Sequence, residues 1–225
     1  MERQVVITGD GSSTIHLPAW EEQYHSKHGA IQEAYHVFIK HGLHFFSSER
    51  IEDPISILEI GFGTGLNAFI TLLEAEKLEV TINYVGVEGY PVDLNEISQL
   101  NYPEKLKVSN QNKVFKVLHK IDWEIEQQVS PYFLLKKEQK FFHQIEDIDK
   151  FHIIYFDAFG ARVQPELWTE KIFKQMYIAL KNDGVLVTYS AKGSVRRAMQ
   201  EVGFKVQKLP GPPGKREMLR AVKSK

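Results

Sequence analysis

The segment ILEIGFGTGLN, Ile57 to Asn67, holds an apolar run that stops at Ile60 and then places three glycines, Gly61, Gly63 and Gly65, within five positions. An apolar strand that breaks into glycines and re-enters a helix-compatible run is a strand-turn-helix unit. In a parallel sheet such a turn lies at the carboxyl edge, where missing side chains let the backbone approach a ligand and helix N-H groups point at it. Taken alone, the glycines are equally compatible with a tight turn that binds nothing.

The rest of the chain repeats the unit. SILEI and a helix over Asn67 to Glu76 are followed by the strand TINYVGVE, a helix around Val92 to Gln99, and the buried strand FHIIYFDAF. The amphipathic helix PELWTEKIFKQMYIAL, with proline near its start, and the strand GVLVTYS come next. This alternation predicts an α/β fold with a mostly parallel sheet and helices on both faces. After the helix SVRRAMQEV, the runs GFKVQKLP and EMLRAV are separated only by Gly211-Pro212-Pro213-Gly214. So short a connection forces an antiparallel pair. A parallel sheet finished by an antiparallel last strand is the methyltransferase variant of the doubly wound, Rossmann-like fold.

Ahead of it, QVVIT and STIHLP flank Gly9-Asp10-Gly11 as a small hairpin, and AIQEAYHVFIKHGLHFF places Ile31, Ala34, Tyr35, Phe38 and Ile39 at helical spacing. The expected organisation is an N-terminal hairpin and helical extension over residues 1–50 and one α/β domain over 51–225. Between Asn110 and Lys150 the signal is weak: VFKVLHKIDWEI reads as helix and PYFLLKKEQKFF as strand.

Composition removes several classes of chemistry. The 225 residues include no cysteine, so a disulfide framework, a thiolate nucleophile and a cysteine-based zinc site are excluded. His25 and His28, and His41 and His44, have i, i+3 spacing, but no carboxylate beside them completes a ligand set, and no metal is expected. With no apolar run of membrane length and no signal-peptide pattern in MERQVVITGDG, a cytoplasmic protein without membrane attachment is expected. The net charge is -1, yet between Lys192 and Lys225 ten basic residues face only Glu201 and Glu217. A basic end on an otherwise acidic chain suits a polyanionic partner, or is a solvated surface.

The glycine spacing discriminates among cofactors. Dinucleotides prefer G-x-G-x-x-G, whose third glycine would fall at Leu66; the spacing here is G-x-G-x-G, with Glu59 two residues before it. That is how class I S-adenosylmethionine-dependent methyltransferases look. In such a fold Glu88, ending the strand YVGVE, can accept both ribose hydroxyls.

FDAFGARVQPELWTEKIF, YSAKGSVRRAMQEVGF and PGPPGKREML, together with YHSKHGAIQEAYHVFI and LEIGFGTGLN, resemble the methyltransferase domain of the bacterial MnmC family, over roughly Glu22 to Ala221. Those enzymes methylate the amine of 5-aminomethyluridine, or its 2-thio form, to 5-methylaminomethyl at the wobble position of transfer RNA. The resemblance implies a cofactor held by Gly61, Gly63, Gly65, Asn67 and Glu88, with Tyr24, Ser26 and Glu33 folded over it. It implies that Asp157 and Phe159 face the target base, with Asp157 orienting the amine and helping remove its proton. Trp168 is a candidate to stack on the uracil, and Lys192, Arg196, Arg197, Lys215 and Arg216 to meet phosphates of the anticodon stem-loop. Two departures stand out. The larger family members carry a fused flavin-dependent oxidase domain, and many have a Gly-Asp pair that approaches adenine where this chain has Gln139-Lys140; either a neighbour such as Glu138 or Asp147 substitutes, or adenine recognition differs. Two rival readings remain: a methyltransferase of a small amine, and a catalytically silent RNA-binding scaffold of the same fold.

Overall fold

In the computed structural model, which describes residues 2–49, 54–108, 110 and 112–224, three antiparallel strands come first: β1 (Gln4–Ile7), β2 (Ser13–Leu17) and β3 (Glu22–Gln23). The β1-β2 turn is tied by Asp10, whose Oδ1 accepts from the Ser12 N-H at 3.0 Å and the Thr8 hydroxyl at 2.9 Å. The hairpin expected from Gly9-Asp10-Gly11 is therefore present; the two-residue β3 adds an edge with no sequence signal of its own.

A long helical segment follows as α1 (Ala30–Ala34), a π-wound stretch (Tyr35–His44) and α2 (Phe45–Glu49). The wider π turn buries Val37, Phe38 and Ile39 in succession, a pattern a regular 3.6-residue winding would spread around the helix. Phe38 packs on Tyr155 with centroids 5.2 Å apart, and a Cβ on Gly42 would lie 3.0 Å from the Tyr155 ring, so the helix lies directly on the main sheet. The extension thus shares one hydrophobic core with the α/β part. The expected boundary at 50/51 lies outside the described residues, as does Lys225.

The main sheet begins with β4 (Ile55–Ile60), which leads through the glycine turn into α3 (Leu66–Leu78) and on to β5 (Ile82–Val87). Short helices α4 (Leu94–Ile97) and α5 (Tyr102–Lys105) and the longer α6 (Asn112–Lys120) precede β6 (Glu126–Ser130) and β7 (Phe133–Glu138). β8 (Phe151–Phe156), α7 (Glu170–Ala179), β9 (Leu180–Thr188), α8 (Gly193–Glu201), β10 (Phe204–Pro210) and β11 (Glu217–Lys223) complete the chain. The strand order is β10-β11-β9-β8-β4-β5-β7-β6. The five inner strands from β9 to β7 run parallel, β11 is antiparallel to both its neighbours, and β6 is antiparallel to β7. Every residue of β8 is buried, as a central strand covered on both faces requires. The α/β architecture with an antiparallel closing strand is as expected.

Three local expectations are corrected. IDWEI leaves the helix at Lys120: Trp123 bridges to Lys137 and Glu124 takes a positive φ of 66°, which bends the chain into β6. The helix read from PELW begins instead as a 3-10 turn (Pro165–Trp168), because Thr169 is extended and separates it from α7. Leu180, expected in that helix, opens β9. No helix among the described residues is long and apolar enough to cross a membrane.

Candidate active site

All three glycines of the turn after β4 take positive φ, 91° at Gly61, 49° at Gly63 and 68° at Gly65. Two of these positions also exclude a side chain by contact. A Cβ on Gly61 would sit 2.8 Å from the Asp157 carbonyl oxygen, and one on Gly65 2.8 Å from the His119 ring. The first contact arises because β8 runs beside β4 and extends the pairing by one bond, the Asp157 N-H donating to the Ile60 carbonyl at 2.9 Å. The same bond brings Asp157 to the turn.

The Asp157 carboxylate meets the first turn of α3. Asn67 Nδ2 donates to Asp157 Oδ2 at 2.9 Å and to Glu59 Oε1 at 2.9 Å, so one amide joins two carboxyl groups. Burial pushes Glu59 well above the carboxylate range, against the opposing influence of the nearby Tyr84 hydroxyl and the Asn67 hydrogen bond. Asp157 is pushed up to about 7 by burial and by the Glu33 charge, with the Asn67 hydrogen bond and the Lys215 charge opposing. Asn67 Oδ1 is buried and has no hydrogen-bond partner among the described residues.

At the end of β5, Glu88 is held by two backbone donors, Gly63 N-H at 3.0 Å and Tyr90 N-H at 2.9 Å, one to each carboxylate oxygen. Each oxygen keeps a further lone pair. These groups border a cleft of about 880 Å³ whose other walls include Tyr24, Phe62, Tyr90, Gln139, Phe141 and Phe159. A ligand that brings a cationic amine to Asn67 Oδ1, a vicinal diol to Glu88 and an aromatic ring to Tyr90 and Phe141 matches these walls in charge and chemistry. Of the residues considered at the Gly-Asp position, Gln139 lines the cleft. Glu138 is held by Lys136 and Lys140, each at 2.6 Å, and Asp147 by Lys150 at 2.6 Å.

A second cavity of about 310 Å³ opens on the other side of Asp157 and shares Tyr24, His25, Asp157, Ala158 and Phe159 with the cleft. Ser26 and Glu33, expected over the cofactor, border this second cavity and are absent from the cleft. Glu33 accepts from the Ser26 N-H at 2.7 Å and from Lys215 Nζ at 2.5 Å, so Lys215, expected at phosphates, is engaged inside the protein. Phe159 stands edge-on to Tyr24, centroids 5.0 Å apart. Trp168 lines neither cavity: it is 5% exposed, packs on Phe156 and Phe173, and donates from Nε1 to the Phe159 carbonyl at 2.7 Å, bracing that residue from behind.

The basic end is also partly consumed by the fold. Arg220 is buried over the Phe45 ring and donates to Gln207, Lys223 reaches Asp149 and the Leu180 carbonyl, and Lys208 pairs with Glu217. Lys192, Arg197 and Arg216 are exposed, Arg196 is half-buried, and none of the four borders either cavity. As for the paired histidines, His25 is enclosed between Thr14 Oγ1 at 3.0 Å and Thr64 Oγ1 at 3.4 Å and is pushed down to about 4 by burial, while His44 Nε2 lies 2.8 Å from Glu74.

Sequence reasoning missed His25 and Tyr189 as wall residues. Tyr189 follows β9 at the carboxyl edge of the sheet and donates its hydroxyl to the Ala158 carbonyl at 2.8 Å; its place just past a parallel strand was the available signal.

Residues 103–224 match the family model of an S-adenosyl-L-methionine-dependent methyltransferase. The chain is 26% identical over 233 residues to the tRNA 5-methylaminomethyl-2-thiouridine biosynthesis bifunctional protein MnmC of Hydrogenovibrio crunogenus, covering 96% of this chain and 33% of that protein. The MnmC protein of a Marinomonas species is 28% identical over 217 residues, 90% of this chain and 31% of its own. The chain therefore spans about a third of the length of the curated relatives it matches. Among solved structures, MnmC2 from Aquifex aeolicus superposes with a TM-score of 0.78 at 21% identity, covering 98% of this chain and 69% of that one. Because the family match takes in more than half of the chain, including the strand that leads into Asp157, and the glycine turn stands beside that residue in the wall of the same cleft, the chain belongs to the S-adenosyl-L-methionine-dependent methyltransferases, with S-adenosylmethionine as its cofactor.

Proposed function

We propose that the protein methylates the amine of 5-aminomethyluridine, or of its 2-thio form, at the wobble position of transfer RNA. The observation that carries this reading is Asp157, a carboxyl group held at about 7 in the wall common to the cofactor cleft and the second cavity. A base poised near neutrality is what N-methylation of an ammonium requires, and the names of the MnmC relatives support an RNA-borne acceptor.

The cofactor supplies a methyl carbon on a cationic sulfur, which keeps the electron pair of the broken bond when nitrogen forms the new one. The backbone of Gly61, Gly63 and Gly65, with Asn67, would hold its amino-acid end; Glu88 would take the ribose hydroxyls, Tyr24 would close over it, and Gln139 would offer an amide donor and acceptor to the adenine edge. Asp157 accepts one proton from the acceptor ammonium and so frees the nitrogen lone pair toward the cleft. Phe159 walls the side on which the ring of the acceptor enters. Positioning of the two reactants on either side of Asp157 supplies most of the rate enhancement.

The test is labelled methyl transfer from S-adenosylmethionine to transfer RNA bearing 5-aminomethyluridine, beside unmodified transfer RNA and a free polyamine, followed by nucleoside mass analysis. Product at the wobble uridine of the modified RNA alone is expected. Label in the polyamine with none in RNA would replace this reading by the small-amine one.

The anticodon stem-loop is the proposed RNA element, met by the exposed Lys192, Arg197 and Arg216, and the reaction assigns the protein to the cytoplasm with its RNA. Replacing these three side chains by alanine is expected to weaken RNA binding by about tenfold or more at low salt and to make log K against log[salt] shallower by about two units, each lost phosphate contact removing roughly 0.7–0.9. Filter binding across a salt series reads both, and an unchanged slope would assign the RNA to another face.

A further inference from the structure

The second cavity has a charge arrangement that the cofactor cleft does not account for. Four carboxylates border it, the exposed Glu21, which the equally exposed Lys27 of the same rim matches in charge, and the more enclosed Glu22, Glu33 and Asp157. Glu22 is matched by Arg162 at 3.1 Å, which also donates to the Trp20 and Glu21 carbonyls. Glu33, only 7% exposed, is matched by Lys215, whose Nζ also lies 3.8 Å from the centroid of the Tyr189 ring. Among the described residues the Asp157 carboxylate meets only the neutral amide of Asn67 as a side-chain hydrogen-bond partner, and the nearby Glu33 charge raises it. Glu33, Asp157 and Lys215 therefore carry two negative charges and one positive when all are ionised. One more cation balances them.

Shape and rim agree with that count. At about 310 Å³ the cavity is at the small end of ligand sites, enough for one substituted ring and no more. Phe159 and Tyr189 both line it, aromatic walls of the kind that suit a flat ring. The rim carries exposed Lys27 and His28, with Arg216 next to Lys215, so that the acidic floor lies under a basic edge. A polyanion can approach such an edge and still deliver a cationic substituent to the floor.

We propose that the second cavity is the acceptor pocket and selects a primary ammonium on a small planar ring, with Glu33, held by Lys215 and the Ser26 N-H, as the positioning residue that aims the ammonium at Asp157. This rests on the reading of the protein as an aminomethyluridine methyltransferase, and it moves Glu33 and Lys215 from the cofactor and the phosphates to the acceptor. A neutral acceptor leaves the floor unbalanced, and a carboxylate-bearing one adds a third negative charge.

The experiment is binding of the nucleoside 5-aminomethyluridine, and separately of 5-methyluridine, to the full chain saturated with S-adenosylhomocysteine, by calorimetric competition. In parallel, S-adenosylmethionine affinity is measured for the native protein, Glu33→Gln, Glu33→Asp and Tyr189→Leu. The native protein is expected to favour the aminomethyl nucleoside by about tenfold or more, as loss of a hydrogen bond to a charged group implies. Glu33→Gln reduces that preference at least several-fold, Glu33→Asp restores part of it, and neither changes S-adenosylmethionine affinity by more than about twofold. Tyr189→Leu, which borders only the second cavity, weakens both nucleosides with the cofactor again unaffected, and it carries the test if the Glu33 variants do not fold.

Absence of the preference in the native protein overturns the proposal, as does a Glu33→Gln variant that keeps the preference and loses cofactor affinity. Preference without methylation of modified transfer RNA leaves the pocket standing and removes the RNA reading. Methylation without the preference does the reverse.

Discussion

Asp157→Asn is expected to bind S-adenosylmethionine normally and to lose methyl transfer by about 10²–10⁴-fold, the range for removal of a general base. The substitution is nearly isosteric, and the new amide oxygen can still accept from Asn67 Nδ2, which now donates to Asp157 Oδ2 at 2.9 Å. What it removes is the ability to hold a proton. With Asp157 raised to about 7, the ionised form that can accept a proton accumulates as pH rises through 7. In the native protein kcat/KM should therefore climb from about pH 6 to about pH 8 along a limb centred near 7. The Asp157→Asn variant should lack that limb.

A second shift separates a base from a shape-filling carboxylate. Lys215 and burial already compete at Asp157, and an ammonium bound beside it adds a charge that favours the ionised form. The limb in kcat, which reports the complex, should lie at lower pH than the limb in kcat/KM, which reports the free protein. Coincident limbs, or an Asp157→Asn variant with native rates, would leave Asp157 no part in proton transfer.

How far the site is legible in the sequence depends on how local its causes are. Gly61, Gly63 and Gly65 announce a turn of positive φ, and the strand FHIIYF ends where Asp157 must stand, because strand and turn chemistry act over a few residues. The antiparallel β10-β11 pair is legible for the same reason: the loop between them is too short for any other pairing. β6 is not, since EQQVS is polar, half-exposed and without alternation, and only pairing with β7 makes it a strand. Glu33 and Lys215 lie 182 positions apart, and nothing local to either shows that the loop before β11 closes on α1. The same limit applies to the basic end. A count of Lys and Arg cannot tell the exposed Arg197 from Arg220 stacked on Phe45, because pairing is settled by tertiary contacts.

Asn67→Asp, a change of one heavy atom, should be strongly destabilising. Asn67 Nδ2 is the donor that both Glu59 and Asp157 use, and Glu59 is 1% exposed. Replacing that nitrogen by oxygen removes both hydrogen bonds and sets a third carboxyl between two that burial already holds above their ordinary range. Leaving a buried carboxylate without a partner in this way costs about 3–5 kcal/mol. For a chain of this size that lowers Tm by roughly 6–20 °C, since each kcal/mol shifts Tm by about 2–4 °C.

The pH dependence has a definite sign. Carboxyl groups whose folded-state pKa is raised bind more protons folded than unfolded, so the stability they contribute is fully present below their unfolded values near 4 and is lost as pH rises through the folded values. Native protein loses such stability on going from about pH 5 to about pH 8 through Asp157, and Glu59, raised by burial, acts with the same sign. The Asn67→Asp variant adds a third group of the same kind, and at about pH 5 a protonated carboxyl can stand in as donor where the amide was. The Tm difference between variant and native protein should therefore widen from about pH 5 to about pH 8, measured by thermal melts across that range. A difference that stays constant, or narrows at high pH, would mean that the Asn67 amide does not bridge the two acids in solution, and the orientation of Asp157 toward the cleft would have to come from the Ile60 backbone bond alone.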